Sequence, residues 1–448
     1  MEVVTPPPSQ APSPPENCTK PADFGCGRWV DAWATSLRPD RPNEYLKTHC
    51  TKHATFVGTT VRQTVRVSVA TSIIRLRVSN EYGKAVLSLA SITAAVPLPE
   101  SFENNLTTAG SATIDPETIC DVTFGGRTSV EIPIGAVVLS DPVQFFLTAG
   151  SDVSLSLFLS NGQHGDTVTS HLIAKTMTWF TRGGGDCTRS ASLHACPNVA
   201  SYPRWFFFAS IETQAMHAAS SAVACFGDSI TDRGDSELPM NDYSGWIDVL
   251  QYRLQKRSPD SISILNLGIS GDTLWDGGFS RFDREVIARI STGIRVVVVL
   301  MGINDLGLTP ATPRAQDDLY DRLILAYEQI IAKCHSATPR IAVVISTLMP
   351  FLPPSDDYPT PWPLSHPLRE QTRMRINRWI RFKAGDGGVT DGFDHLIDWA
   401  RVICEPDNEH VMQGRYQLRD YLHPSVEGCQ AMAEAVDLRY LTEPPCAE

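Results

Sequence analysis

Apolar residues recur at every second position as far as about residue 215 and then stop doing so, and this change of period limits the possible folds more than any other feature. Val61, Val65, Val67 and Val69 alternate with polar neighbours, and Ile74, Leu76 and Val78 do the same before the turn Asn80-Glu81-Tyr82-Gly83. Val130-Glu131-Ile132 and the run from Val153 to Leu159 repeat the pattern. Strands with one apolar and one polar face pair into antiparallel sheets that stack on their apolar sides, so residues 27–218 are predicted to form an antiparallel β-sandwich. Beyond residue 220, short apolar runs at 222–227, 262–267, 295–301, 341–347 and 394–398 alternate with amphipathic stretches near 243–256, 281–290, 315–335, 366–383 and 425–437. That rhythm belongs to parallel strands joined by helices, and it predicts a three-layer α/β/α domain with a parallel sheet over 219–448. Residues 1–26 are rich in Pro, Ser and Thr without any period and are predicted to be a disordered tail.

A chain of 448 residues exceeds what one ordinary core holds, in keeping with two domains. Its 38 Lys+Arg against 50 Asp+Glu leave a formal charge of −12, which excludes nucleic acids and anionic membrane surfaces as partners, since both reward basic patches. The longest apolar run, Val296 to Met301, is far short of the ~18 to 20 residues that cross a bilayer, so no membrane span is predicted. Eleven cysteines and the tripeptides Asn17-Cys18-Thr19 and Asn105-Leu106-Thr107 point to secretion, although the opening MEVVTPPPSQAPSPP carries neither the basic nor the apolar segment of a signal peptide, and a cytoplasmic protein is the competing reading.

Parallel α/β sheets bind ligands beyond the carboxyl ends of their strands. The first strand is followed there by Gly227-Asp228-Ser229, the second by Gly268-Ile269-Ser270-Gly271-Asp272 and the third by Gly302-Ile303-Asn304-Asp305, while Asp420-Tyr421-Leu422-His423-Pro424 lies near the C-terminus. Each supplies one part of an acyl-transfer site. A serine hydroxyl attacks only when a base takes its proton, and a histidine oriented by a carboxylate is the usual base. Asp420 and His423, three positions apart, can pair through Nδ1 and leave Nε2 for Ser229, with Pro424 opening the last helix. The amides of Ser229 and Gly271 and the side-chain amide of Asn304 are candidate donors to the oxyanion, with glycine at 271 leaving the approach unblocked. Any one of these short motifs alone is a common turn; their occurrence together at successive strand ends is what points to catalysis.

These blocks resemble the SGNH, or GDSL-type, hydrolases, whose signature Ser, Gly, Asn and His match Ser229, Gly271, Asn304 and His423. "WVDAWATS", "TVRQTVRVSVATSIIRLRVSNEYG", "GAVVLSDPV" and "FGDSITDRG" through "GDTLWDGGFSRFDREV" resemble the branch of that superfamily with an N-terminal β-domain, so the likeness runs from Trp29 onward. It implies a flavodoxin-like α/β/α catalytic domain, no metal or organic cofactor, and mostly secreted esterases. The expected function is therefore a serine esterase acting on a neutral ester, such as a short acyl group on a carbohydrate or small molecule. An acyltransferase with the same triad, or a carbohydrate-binding protein with an inert hydrolase domain, are the competing readings.

Other residues are weighed beside this set. Asp228, Trp275 and His171 are candidate substrate contacts, His171 because the short connection from Glu212 to Ser220 implies that the sheet domain packs near the site. Asp228, Asp232 and Asp235 together read as a solvated acidic rim. Trp246 is a core or pocket residue, Cys225 an unpaired core thiol, and Cys187 with Cys196 a candidate disulfide.

Overall fold

The computed structural model describes residues 27–102, 105–217, 220–233, 240–258, 261–354, 365–385 and 392–443. The Pro-rich tail with Asn17, Cys18 and Cys26, the predicted boundary at 218/219 and Asp235 lie outside the described residues. The chain divides into two compact units, one reaching to Ser220 with 240–242 and 261–263 added, the other holding the rest.

The first unit is built of antiparallel strands. Asp152–Leu159 lies at the centre of a six-stranded sheet and pairs along its whole length with Thr59–Arg66, setting Val153 opposite Val65 and Leu157 opposite Val61. Thr71–Ser79 is central to a five-stranded sheet and pairs with Phe208–Gln214. Side chains from both sheets, among them Val61, Val65, Leu155 and Leu157 from one and Ile74, Leu76, Val78 and Ile211 from the other, meet in one core, as in the expected sandwich.

The polar side of the six-stranded sheet departs from the alternation rule. Arg62 is fully buried there, donating to Ser156 Oγ (2.8 Å) and to the carbonyls of Ala112 (2.7 Å), Thr188 (3.0 Å) and Ser190 (2.9 Å). Long connections cover this face, and a buried guanidinium is tolerated because its donors meet carbonyls.

The second unit holds a five-stranded sheet of β1 (Ser221–Gly227), β2 (Ile262–Gly268), β3 (Ile294–Leu300), β4 (Ala342–Ser346) and β5 (His395–Ile397), in the order β2-β1-β3-β4-β5. β1 pairs parallel with β3, β3 with β4 and β4 with β5. Val296–Leu300 is buried on both faces, which is why the third strand reads as a continuous apolar run.

Helices α1 (Ser229–Asp232), α2 (Trp246–Arg257), α3 (Phe279–Glu285), α4 (Ile303–Leu308), α5 (Pro313–Ser336), α6 (Pro367–Lys383), α7 (Trp399–Ile403), α8 (Val426–Glu434) and α9 (Arg439–Thr442) accompany it. Because strand order reverses at β1, right-handed crossovers send α2 to one face of the sheet and α3, α5 and α6 to the other. Packing agrees: Trp246 of α2 meets Trp399 of α7, whose indole N–H donates to Met432 O of α8 (2.8 Å), while Tyr327 of α5 stacks on Trp379 of α6.

Two local expectations are corrected. The helix expected over 281–290 is α3 followed by a 3₁₀ segment at Ile287–Thr292 that ends at Gly293, whose φ of 99° stops a helix. The last helix starts after Pro424, capped by Ser425, whose Oγ accepts from Gly428 N at 3.1 Å.

Candidate active site

Gly227 of β1 pairs with Leu300 of β3, so the two strands end level and their following residues share one rim at the point where strand order reverses. Asp228 caps α1 by accepting from Ile230 N at 3.1 Å, which makes Ser229 the first helical residue and turns its hydroxyl outward from the strand. Ser229 Oγ lies 2.8 Å from His423 Nε2, and His423 Nδ1 lies 2.5 Å from Asp420 Oδ2. Three residues separated by as much as 194 positions therefore form one chain of hydrogen bonds.

The Asp420 turn is locally over-determined. Asp420 Oδ1 accepts from the amides of Leu422 and His423, both at 3.0 Å, and Tyr421 between them has a φ of 61°. A non-glycine residue in that region costs roughly 1 kcal/mol or more, and here it lets one carboxylate hold both the backbone and the ring of His423. Burial pushes the Asp420 carboxyl up, but the bond and charge of His423 and the two amides outweigh it, leaving the group below the ordinary carboxylate range. Asp420 thus stays ionised wherever His423 can change its proton.

Gly271 is the third residue of a turn closed by Asp272 N donating to Ile269 O (3.0 Å), and its φ is 76°. A Cβ placed on it would meet nothing within 4 Å. Glycine is thus favoured by its backbone conformation and not by any protein atom that a side chain would strike. Asn304 is buried and gives one N–H of its amide to Asp272 O at 2.9 Å, which fixes the plane of the amide and leaves its second N–H for a ligand. Asp305 accepts from the amides of Leu274 (2.7 Å) and Trp275 (3.0 Å), so the segment carrying Gly271 is tied to the end of β3 through two successive side chains.

The acidic rim is not a rim. Asp228 is fully buried and Asp232 is 2% exposed, its Oδ2 accepting from both the amide and the hydroxyl of Ser270 at 2.8 Å. Each accepts from a backbone amide of a strand-end turn, which offsets part of the cost of its burial. Asp228 is a cap beneath Ser229, with Oδ2 buried and unpartnered. Burial, reinforced by the charges of Asp272 and Asp305 and opposed by Ile230 N and His423, pushes its carboxyl up to about 7.

A folded-state pKa raised from 3.8 means that stability is full below the unfolded value and declines as pH rises through about 7, by on the order of 3 to 4 kcal/mol. Asp228→Asn keeps the acceptor for Ile230 and cannot ionise. Between about pH 4 and pH 8 the urea-unfolding free energy of the wild type should fall by that much more than the variant's; equal changes would show that Asp228 is not held neutral.

The remaining candidates separate. Trp275 is half-buried, its ring stacked on Phe279 at 6.3 Å and its amide on Asp305. Trp246 is core. His171 is buried in the first unit, with Nδ1 2.9 Å from Ser36 O and Nε2 3.0 Å from Ile173 O. Cys225 is buried in the core, and Cys187 and Cys196 are free thiols packed with Ala112 and Leu193 in one small cluster, where the sequence suggested a disulfide. No group of residues suited to a metal ion occurs among the described residues. Arg281 and the tie from Asp305 escaped the sequence reading, because an Arg with Glu at i+4 reads as a solvated helix pair.

A family model for the GDSL-like lipase/acylhydrolase family matches residues 225–431. No curated protein matches the chain. Among solved structures, an acetylxylan esterase from Geobacillus stearothermophilus is 20% identical over 51% of this chain and 97% of its own, with a TM-score of 0.34. A carbohydrate acetylesterase from Sinorhizobium meliloti is 16% identical over 48% of this chain and 96% of its own, with a TM-score of 0.35. A lipase/acylhydrolase from Enterococcus faecalis is 19% identical over 51% of this chain and 98% of its own, with a TM-score of 0.34. With the strand-end blocks all lying inside the matched span, this chain carries at residues 225–431 a GDSL-like lipase/acylhydrolase domain and is a carboxylic ester hydrolase.

Proposed function

We propose that the chain is a serine esterase that works through an acyl-enzyme and acts on neutral esters of short acyl groups. The observation that carries this reading is the unbroken line from Ser229 Oγ through His423 to Asp420, at 2.8 and 2.5 Å. Ser229 Oγ attacks the ester carbonyl carbon while its proton passes to His423 Nε2, and Asp420 holds the resulting imidazolium. The carbonyl oxygen, now negative, takes hydrogen bonds from the amides of Ser229 and Gly271 and from Asn304 Nδ2. Collapse breaks the bond to the alkoxy oxygen, which leaves with the proton from His423. Water then repeats the sequence on the acyl-enzyme and releases the acid.

The net charge of −12 disfavours anionic substrates and supports a neutral ester, with a carbohydrate or small molecule as its alcohol. Among the described residues no helix is long and apolar enough to cross a membrane. Action outside the cell is part of the proposal, supported by eleven cysteines and by the exposed Asn105 of an N-x-Ser/Thr tripeptide.

The test is hydrolysis of p-nitrophenyl esters from acetyl to long-chain acyl beside acetylated sugars, with an aryl phosphonate as a covalent probe. Release of nitrophenol falling with chain length, and one phosphonyl adduct on Ser229 by peptide mass spectrometry, are expected. A preference for long chains would overturn the substrate class, and an adduct elsewhere would overturn the mechanism.

A further inference from the structure

We propose that Arg281 is the positioning residue that holds the Ser229 turn and the oxyanion donors in register. The proposal rests on the serine-esterase reading above and extends it to a side chain that touches no substrate atom. Arg281 stands on α3 and is 4% exposed. Its Nη2 donates to Gly227 O (3.0 Å), the carbonyl two residues before Ser229. Nη1 donates to Leu267 O at the end of β2 (2.9 Å) and to Glu285 Oε2 (2.6 Å). Nε donates to Asp272 Oδ2 (2.8 Å), the residue after Gly271, and the guanidinium carbon sits 4.1 Å from the centre of the Phe226 ring.

One rigid planar cation thus reaches the end of β1, the end of β2 and the loop beyond it. The third donor is joined indirectly, since the carbonyl of Asp272 is the acceptor that orients Asn304. Gly277 lets the Asp272 carboxylate reach its place, for a Cβ there would stand 1.7 Å from Asp272 Oδ1. Lysine carries the same charge but has no fork, so it cannot reach Gly227, Leu267 and Asp272 in one geometry. Displacing donors by a fraction of an ångström weakens them in the transition state far more than it weakens substrate binding.

Arg281→Lys is therefore expected to lower kcat by about 10²-fold with KM changed less than about threefold, and to slow phosphonylation of Ser229 in parallel. The pH profile should keep its position, because the Asp420–His423 pair is untouched. Glu285→Gln is the comparison: it removes the negative charge paired with Nη1 of Arg281 and leaves the bonds to Gly227, Leu267 and Asp272 in place, and it should lower Tm while leaving kcat within about threefold. Should Arg281→Lys fail to fold, Asp272→Asn takes its place, with about a tenfold loss of kcat at unchanged KM expected.

A folded Arg281→Lys, or failing that Asp272→Asn, with wild-type kcat would overturn the proposal. So would losses of kcat that simply follow Tm across Arg281→Lys and Glu285→Gln. Ser229→Ala is assayed alongside: an active alanine variant sinks the serine-esterase reading itself, whereas an inactive one beside a fully active Arg281→Lys sinks only the role of Arg281.

Discussion

Replacing Ser229 by alanine is expected to lower kcat for aryl acetate hydrolysis by about 10⁴- to 10⁶-fold while leaving the fold intact. The hydroxyl lies 2.8 Å from His423 Nε2, and without it the carbonyl carbon meets only water. What survives is the stabilisation that the oxyanion donors give to uncatalysed attack, which is why the loss has a floor. Ser229 is 7% exposed and small, so removing its oxygen opens little space and should change unfolding free energy by only about 1 kcal/mol. The measurement is kcat with urea unfolding run beside it. Activity above about one hundredth of wild type in a folded variant would mean that another group is the nucleophile.

Replacing His423 by alanine should cost about as much as replacing Ser229, and the double variant should be no worse than either single one. Non-additivity follows because the hydroxyl is unreactive without its base and the base has no task without the hydroxyl. Three variants assayed at one pH decide it: a double-variant loss near the product of the two single losses would show that the residues act separately. Asp420 adds a pH signature. Its carboxyl is held below the ordinary carboxylate range, so it is already ionised on the acid side of the profile, and activity should rise with pH as His423 loses its proton. Asp420→Asn should keep an acceptor for the two backbone amides but present an N–H to His423 Nδ1, and lower kcat by roughly 10²- to 10⁴-fold.

Much of the site is written in short motifs whose geometry is local. A strand that ends in Gly-Asp-Ser and continues as a helix needs a capping carboxylate and a small first residue, and Asp228 and Ser229 are those residues. The Asp420–His423 pair, three apart, closes within a single turn. Gly271 was found by motif, and the structure adds that its positive φ favours glycine there. Burial of charged side chains was least legible. Asp228 and Asp232 read as surface groups, and nothing marked Arg62 or Arg281 as buried, because a polar side chain faces water unless a partner brought from elsewhere in the chain satisfies it.

The sequence by itself determined the two kinds of periodicity, the positions of the parallel strands and the identities of the Ser, Gly, Asn, His and Asp at their ends, because alternation, capping and turn formation act over a few neighbouring residues. Only the tertiary structure decided which of these end up together. Ser229 meets His423 across 194 positions, Asp305 reaches back to Leu274 and Trp275, and Arg281 gathers Gly227, Leu267 and Asp272 because strand order reverses at β1 and brings three strand ends to one rim. Such partners are chosen by the strand order of the sheet and by the need of each buried charge for hydrogen bonds, and neither is expressed in the spacing of residues along the chain.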